Sequence, residues 1–249
     1  MRRCRRPSWR RPRRSCGRRD VLVAGAGARV ILVTGFEPFG AHTVNPSEGL
    51  AKAMDGRRFG ACETRGAVLP VHHADATTRL AALLTETDPV AVVHLGLAAG
   101  RARVALERVA VNVMDYDEPD CTGFQASGEP IAPGGPAAYF ATLPLVAILK
   151  ALTAEGIPAY ISNTAGTYLC NQTLYTTLHA VRHEPDPPRV GFIHVPLLPA
   201  MVAATGLEQP SMDLPLMLRA VEIALGVVAS GAVLGQGGTP ARWNEKGHA

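Results

Sequence analysis

The chain lacks most of the short signatures from which hydrolytic chemistry can be read by inspection. No G-x-S-x-G elbow occurs, which disfavours a serine hydrolase. No H-E-x-x-H occurs either, which disfavours a metallopeptidase. His179 and His183 stand four apart without the glutamate that motif requires, and they read as exposed helix polars. There is no C-x-x-C pair, and the five cysteines (Cys4, Cys16, Cys62, Cys121, Cys170) are irregularly spaced and odd in number. With no secretory signal ahead of the body, a disulfide framework is disfavoured and a reducing, cytoplasmic setting is expected. No apolar run approaches the roughly 20 residues of a membrane span, so no membrane partner is expected. No internal repeat is visible.

Acidic residues are missing from one place only. Residues 1–19 hold ten arginines and no Asp or Glu, which leaves 15 basic against 21 acidic side chains in the remainder. The formal charge of +4 therefore hides a body that is mildly acidic, and a nucleic-acid-binding core is not expected. Residues 1–28 read as a disordered, arginine-rich leader. The run Val21-Leu-Val-Ala-Gly-Ala-Gly-Ala28 resembles a dinucleotide loop, but it leads into another strand rather than a helix and fails that motif's context test.

What is present is an alternation of apolar strands and amphipathic helices. Strands are expected at Val30–Thr34, Thr64–Leu69, Val90–Leu95, Val104–Val113, Ile157–Ile161 and Val190–Val195. Helices are expected from Asn45 to Met54, with Asn45 or Ser47 near the cap, and over Ala74–Thr87, Leu145–Thr153, a segment after Cys170, and Ser211–Ala229. This order predicts an α/β fold: a three-layer α/β/α sandwich around a mixed, mostly parallel central sheet, as a single domain over 29–235. Asp115 to Gly135 is a long loop rich in Asp, Glu, Pro and Gly, and loops of that length in compact domains usually carry function. Residues 236–249 read as a disordered tail.

The stretch Ser162-Asn-Thr-Ala-Gly-Thr-Tyr-Leu-Cys-Asn171 links a strand to a helix. Ser162, Asn163 or Thr164 is available as a cap. Cys170 then falls near the helix start, where unpaired N–H groups and the dipole favour a thiolate and lower its pKa. The ordinary alternative is a small buried thiol. A cysteine hydrolase also needs a base and a group that orients it. His194, in the apolar strand Gly191-Phe-Ile-His-Val-Pro196, and Glu107 supply those residue types. All three lie at strand ends or the turns leaving them, positions that converge at one edge of a doubly wound sheet. Each has a plainer reading: His194 as a satisfied core histidine, Glu107 as the ion-pair partner of Arg108.

Five blocks in order carry a resemblance to a known family: Thr34-Gly-Phe-Glu-Pro-Phe-Gly40 with Asn45-Pro-Ser47, Glu107-Arg-Val-Ala-Val-Asn112, Gly135-Pro-Ala-Ala-Tyr-Phe140 with Thr142-Leu-Pro144, the Ser162–Asn171 stretch, and Gly191–Pro196. Pro210-Ser-Met212 fits as well. Over roughly residues 29–229 the chain resembles the pyrrolidone-carboxylate peptidases, or type I pyroglutamyl peptidases. The resemblance implies a cysteine exopeptidase that hydrolyses the amide after an N-terminal pyroglutamyl residue, with pyroglutamylated peptides as partners. It implies Cys170 as nucleophile, His194 as general base and acid, and Glu107 as the residue orienting His194. Phe36, Phe39, Tyr168 and Leu169 would flank the lactam ring, with Asn45 beside it and Leu97 offering a backbone group. For the two phenylalanines, core packing is the alternative. No metal or cofactor is implied, and a homo-oligomer, commonly a tetramer, is.

The chain departs from the family in its long loop. Where the family commonly reads Asp-x-Arg-Ile-Pro-Asp-Asn, this sequence has Asp115-Tyr-Asp-Glu-Pro-Asp-Cys121. Asp117 thus stands for an arginine expected near Glu107, and Glu118 for an apolar pocket residue. Acids there are expected to raise the pKa of Glu107 or repel an oxyanion. Two other readings follow: a related cysteine amidase or esterase for another small acyl group, and a non-catalytic binding protein of the same fold.

Overall fold

The computed structural model describes residues 29–40, 42–206 and 208–233. The expectations for the leader (1–28) and the tail (236–249) lie outside them. The first half runs β1 (Arg29–Phe36), α1 (Pro46–Met54), β2 (Arg58–Phe59), β3 (Cys62–Leu69), α2 (His73–Thr87), β4 (Ala91–Leu97), β5 (Val104–Glu107) and β6 (Val109–Val111). The second half runs β7 (Met114–Asp115), β8 (Ser127–Glu129), β9 (Ala138–Phe140), α3 (Leu145–Ala154), β10 (Ala159–Ser162), α4 (Leu169–Val181), β11 (Arg189–Val195), α5 (Pro199–Thr205) and α6 (Leu214–Val233).

Seven strands form one sheet in the order β10-β5-β11-β4-β1-β3-β2. The β1–β3, β1–β4, β4–β11 and β5–β10 pairs are parallel, whereas β5–β11 and β2–β3 are antiparallel. The expected mixed, mostly parallel sheet is therefore present. Its strands alternate between two buried faces. Ile31, Val33, Val93, Leu95, Leu106, Ile193 and Val195 join one core with residues of α1, α3 and α6. Leu32, Val92, Val190 and Phe192 join the other, with Leu83 of α2 and Leu169, Leu174 and Leu178 of α4. Side chains two residues apart share a face. His94, Gly96 and His194 therefore lie on the α2/α4 side, as does Glu107, which alternates with Leu106.

Several boundaries differ from expectation. The apolar run 104–113 is two strands, not one: β5 belongs to the main sheet, and β6 pairs with β9 in a separate ribbon. The break falls at Arg108, whose N–H bonds the Ser162 carbonyl (2.8 Å). Within the long loop, β7 and β8 form a second short ribbon. Helix α6 begins at Leu214 rather than Ser211, with Asp213 Oδ1 accepting from the Leu216 amide at 3.2 Å. Helix α5 was not foreseen; it has no buried residue and hence no apolar periodicity to announce it.

The reading that no segment approaches a membrane span also needs correction. Leu214–Gly231 of α6, with a mean hydropathy of 1.6, is long and apolar enough by length and composition. Met217, Val221, Ala224, Leu225 and Val228 are buried in the core shared with α1 and α3. On its other side, Glu222 pairs with Arg57 (2.6 Å) and Arg219 with Glu155 (3.2 Å). Apolar on one stripe and ion-paired on the other, α6 has the pattern of a core helix.

Candidate active site

Cys170 is the second residue of α4. The cap is Tyr168, in extended conformation with no side-chain hydrogen bond, so the expected capping by Ser162, Asn163 or Thr164 does not occur. Ser162 and Thr164 instead bond each other in the preceding turn: the Ser162 hydroxyl donates to the Thr164 carbonyl at 3.1 Å. Gln172 N–H donates to the Tyr168 carbonyl at 3.0 Å, the first bond of the helical ladder. The N–H groups of Leu169, Cys170 and Asn171 precede it and have no partner within the helix. Asn171 is fully buried and ties the helix start to β6, accepting from Val111 N–H (2.9 Å) and donating to the carbonyls of Val111 (2.9 Å) and Val113 (3.0 Å).

Cys170, His194 and Glu107 gather on the same face of the sheet. His194 pairs in register with Gly96 across β4–β11. A methyl group built on Gly96 would stand 3.0 Å from Cys170 Sγ and 2.7 Å from the Phe192 ring, so thiol and imidazole flank one glycine. The Phe192 and His194 rings are 4.6 Å apart. His194 Nδ1 donates to Glu107 Oε1 at 2.8 Å, which leaves Nε2 as the basic nitrogen.

How Glu107 reaches His194 differs from the expected convergence of strand ends. Strand β5 is antiparallel to β11, so their C-terminal ends point opposite ways. Glu107 lies opposite Phe192, His194 lies opposite Ala105, and the two meet on the diagonal between adjacent strands. The expected ion pair with Arg108 is also replaced. Arg101, from the turn between β4 and β5, donates to the same Oε1 at 2.6 Å. Nothing in the sequence marked Arg101, because β11, which lies between β4 and β5 in the sheet, comes about 80 residues later in the chain.

These contacts fix the charges. Burial pushes the Cys170 thiol up to about 12 and the Glu107 charge adds to this, while Arg101 and the thiol's own amide oppose it. The expected lowering by the helix start is real but smaller than the desolvation. Burial likewise lowers the His194 pKa, against the raising effect of Glu107 and with help from Arg101, and leaves a neutral imidazole. Glu107 is held below its usual range: burial alone would raise it, but the bond and charge of His194, with Ser162 and Arg101, prevail. The expected raising by Asp117 does not occur. Asp117 instead lines a cleft of about 350 Å³ with Asp115, Glu118, Thr167, Phe39 and Tyr168.

Beside the thiol lies a narrow slot, with a cavity volume of about 20 Å³, lined by Phe36, Phe39, Asn45, Val71, Leu97, Tyr168, Leu169 and Cys170. It collects every residue expected around the acyl group and adds Val71, which follows β3. Phe39 packs against Tyr168 (6.2 Å between rings), and Tyr168 against Tyr116 (4.5 Å). Asn45 caps α1, accepting from the Ser47 amide at 3.1 Å, and its side-chain N–H donates to the Glu37 carbonyl at 3.0 Å. Ser47 Oγ in turn accepts from the Phe36 amide at 3.1 Å, which fixes the slot's aromatic wall. Among the described residues no charged side chain lines the slot.

His72, His73 and Asp120 also cluster at the start of α2, with potential ligand atoms within 4.8 Å of one another. Asp120 is already engaged. Oδ2 accepts from the His73 amide and pairs with His73 Nδ1, both at 3.0 Å, while Oδ1 accepts from the amides of Thr122 (2.9 Å) and Phe124 (3.1 Å). These bonds make Asp120 an anchor for the long loop. His179 is not simply exposed as expected; its Nδ1 lies 2.9 Å from the Tyr139 hydroxyl.

Known proteins share this arrangement of elements. The family model described as pyroglutamyl peptidase matches residues 29–231. A pyrrolidone-carboxylate peptidase of Pyrococcus furiosus is 46% identical over 200 residues, covering 79% of this chain and 96% of that one. One of Klebsiella pneumoniae is 42% identical over 212 residues, covering 84% and 98%. The solved pyrrolidone carboxyl peptidase of Thermococcus litoralis superimposes with a TM-score of 0.81 at 42% identity, over 84% of this chain and 96% of that one.

Proposed function

Because the chain belongs to the pyroglutamyl peptidase family, we propose that Cys170, His194 and Glu107 form the machinery of a cysteine exopeptidase that removes an N-terminal pyroglutamyl residue from peptides. The observation that carries this reading is the thiol on the wall of a small, uncharged slot, on the same sheet face as an imidazole bonded to a buried carboxylate. Pyroglutamate is a neutral lactam with no free amine. Aromatic and aliphatic walls match its uncharged ring in chemistry, though the slot must widen to admit it, and a carboxylate for gripping an ammonium would serve no purpose.

The resting state is thiol, neutral imidazole and carboxylate, so the proton must move as the bond forms. His194 Nε2 takes the proton from Cys170 while Sγ attacks the pyroglutamyl carbonyl. Glu107 accepts Nδ1–H and stabilises the imidazolium. The amides at the start of α4, which lack partners within the helix, are the donors available to the oxyanion, that of Cys170 among them once the sulfur attacks. His194 then gives its proton to the leaving amine and a thioester remains. Water, deprotonated by the same imidazole, releases pyroglutamate and restores the thiol.

The same reading covers the substrate-wall roles of Phe36, Phe39, Asn45, Leu97, Tyr168 and Leu169, a single catalytic domain over 29–235, a cytoplasmic setting and a homo-oligomeric state. The thiols of Cys62, Cys121 and Cys170 are free, which supports a reducing compartment. Exposed apolar side chains at Phe140 and Val146 support association.

The test is release of an amine reporter from pyroglutamyl and from prolyl conjugates by the wild type and by Cys170→Ser. Turnover confined to the pyroglutamyl conjugate and lost in the variant is the expected result. Turnover of another acyl group alone points to a related amidase. Undiminished turnover by Cys170→Ser would remove the cysteine mechanism.

A further inference from the structure

Glu107 carries two hydrogen-bond donors on one oxygen, a neutral imidazole and a guanidinium. His194 Nδ1 lies 2.8 Å from Oε1 and an Arg101 N–H lies 2.6 Å from the same atom. Among the described residues Oε2 is buried without a hydrogen-bond partner: the hydroxyl of Ser162, its register partner on β10, helps keep the carboxyl ionised but donates to the Thr164 carbonyl. Imidazole and guanidinium therefore share one set of lone pairs rather than taking an oxygen each. We infer that Arg101 is a positioning residue for the reaction: by holding Glu107 Oε1 it limits how strongly the carboxylate stabilises a protonated His194, and so keeps His194 acidic enough to release its proton to the leaving amine. This inference rests on the proposed cysteine mechanism and deepens it.

The physical reasoning is electrostatic. The guanidinium is always charged. When His194 takes the thiol proton, two positive groups sit on one oxygen, and each weakens the other's hold. A carboxylate given wholly to the imidazole would yield a more stable imidazolium, which is a better proton acceptor in the first half of the reaction and a worse donor in the second. The same positive charge favours negative charge on sulfur, and Arg101 lowers the pKa of both Cys170 and His194. Removing it raises both.

Other charges do not substitute for it. Cys170 faces the pair from α4, with Tyr116 and Tyr168 beyond it; burial raises both phenols, that of Tyr168 to about 12. His94, on the same sheet face, is held neutral by burial at about 3. Arg103 stacks over Tyr160 at 4.5 Å, and among the described residues no bond joins Arg108 to Glu107. Asp115, Asp117 and Glu118 line the neighbouring cleft. Arg101 is thus the one cation bonded to Glu107 among the described residues, and its side chain is 27% exposed against 0% for the carboxylate.

Arg101→Met, Arg101→Gln and Arg101→Lys test this. Two pH profiles are measured: kcat/KM on a pyroglutamyl reporter, and the rate of Cys170 alkylation by iodoacetamide, read on the Cys170 peptide by mass spectrometry. In Arg101→Met the acid limb of kcat/KM and the alkylation midpoint both move up by about one pH unit. kcat at the plateau falls about tenfold or more, while KM changes little, because Arg101 does not line the slot. Arg101→Lys restores both midpoints. Should Arg101→Met fail to fold, Arg101→Gln, which retains a donor to Oε1 without the charge, must show the same shifts. Lower kcat with both midpoints unmoved would overturn the inference and leave Arg101 a structural tie. If the wild type turns over no pyroglutamyl substrate, the proposed function fails, yet the alkylation midpoints still decide the role of Arg101.

Discussion

Gly96→Ala is the substitution whose outcome depends most directly on the geometry of the site. The added methyl would stand 2.7 Å from Cζ and 2.8 Å from Cε1 of Phe192, and 3.0 Å from Cys170 Sγ. Ordinary van der Waals contact begins at 3.4 Å, so the neighbours must retreat by several tenths of an ångström. Phe192 is fully buried and wedged between His194 (4.6 Å), His94 (6.0 Å) and Phe36 (6.5 Å), and cannot swing away freely. Overpacking of this kind costs roughly 1–3 kcal/mol. For a domain of this size that lowers Tm by roughly 3–10 °C. Since a misplacement of about 1 Å costs on the order of 100-fold in rate, a shift of about half that in the sulfur should lower kcat about tenfold. Gly49→Ala is the control: Gly49 is exposed on α1 with nothing within 4 Å of the added methyl, and the change should add roughly 0.5–1 kcal/mol of stability with no effect on rate. The assays are thermal melts and reporter turnover on both variants. If Gly96→Ala melted and turned over like the wild type, Cys170 and Phe192 could not both pack on this glycine, and the site geometry would be wrong.

Two further outcomes follow from buried polar groups. Asn171→Ala leaves the Val111 amide and the carbonyls of Val111 and Val113 without their partner; at about 1–3 kcal/mol for each buried group left unpaired, denaturant melts should show a loss of roughly 3 kcal/mol or more, and a loss below about 1 kcal/mol would show that water replaces the side chain. His94 bonds Thr34 Oγ1 (2.7 Å) and Thr177 Oγ1 (2.9 Å), and burial holds its pKa at about 3. The unfolded histidine titrates near 6.5, so between those values the unfolded chain binds a proton that the folded chain refuses. The stabilising effect is complete above pH 6.5 and is lost as the pH falls toward 3, by about 1.4 kcal/mol per unit. Urea midpoints measured from neutral to acid pH should fall less steeply in His94→Gln than in the wild type; parallel slopes would refute the assignment.

The order of strands and helices was legible in the sequence because both report a local periodicity. An apolar β-branched run such as Val30–Thr34, or the spacing of Leu80 and Leu83 in α2, can be seen without knowing what it packs against. The cap at Asn45 was legible for the same reason: its hydrogen bond to the Ser47 amide closes within two residues. Identification of Cys170, His194 and Glu107 as candidates came from residue type, motif and resemblance. Only the tertiary structure decided the rest. That Glu107 meets His194 on a diagonal depends on β5 running antiparallel to β11, and nothing within β5 encodes the direction of its neighbour. Arg101 replaced Arg108 as the ion-pair partner through the same reversal. The thiol's rise, against the fall expected from the helix start, reflects burial by groups from other segments, a quantity to which local sequence is blind. Local patterning set which residues form each element; strand direction and desolvation, which are properties of the assembled sheet, determined which side chains meet and in what charge state.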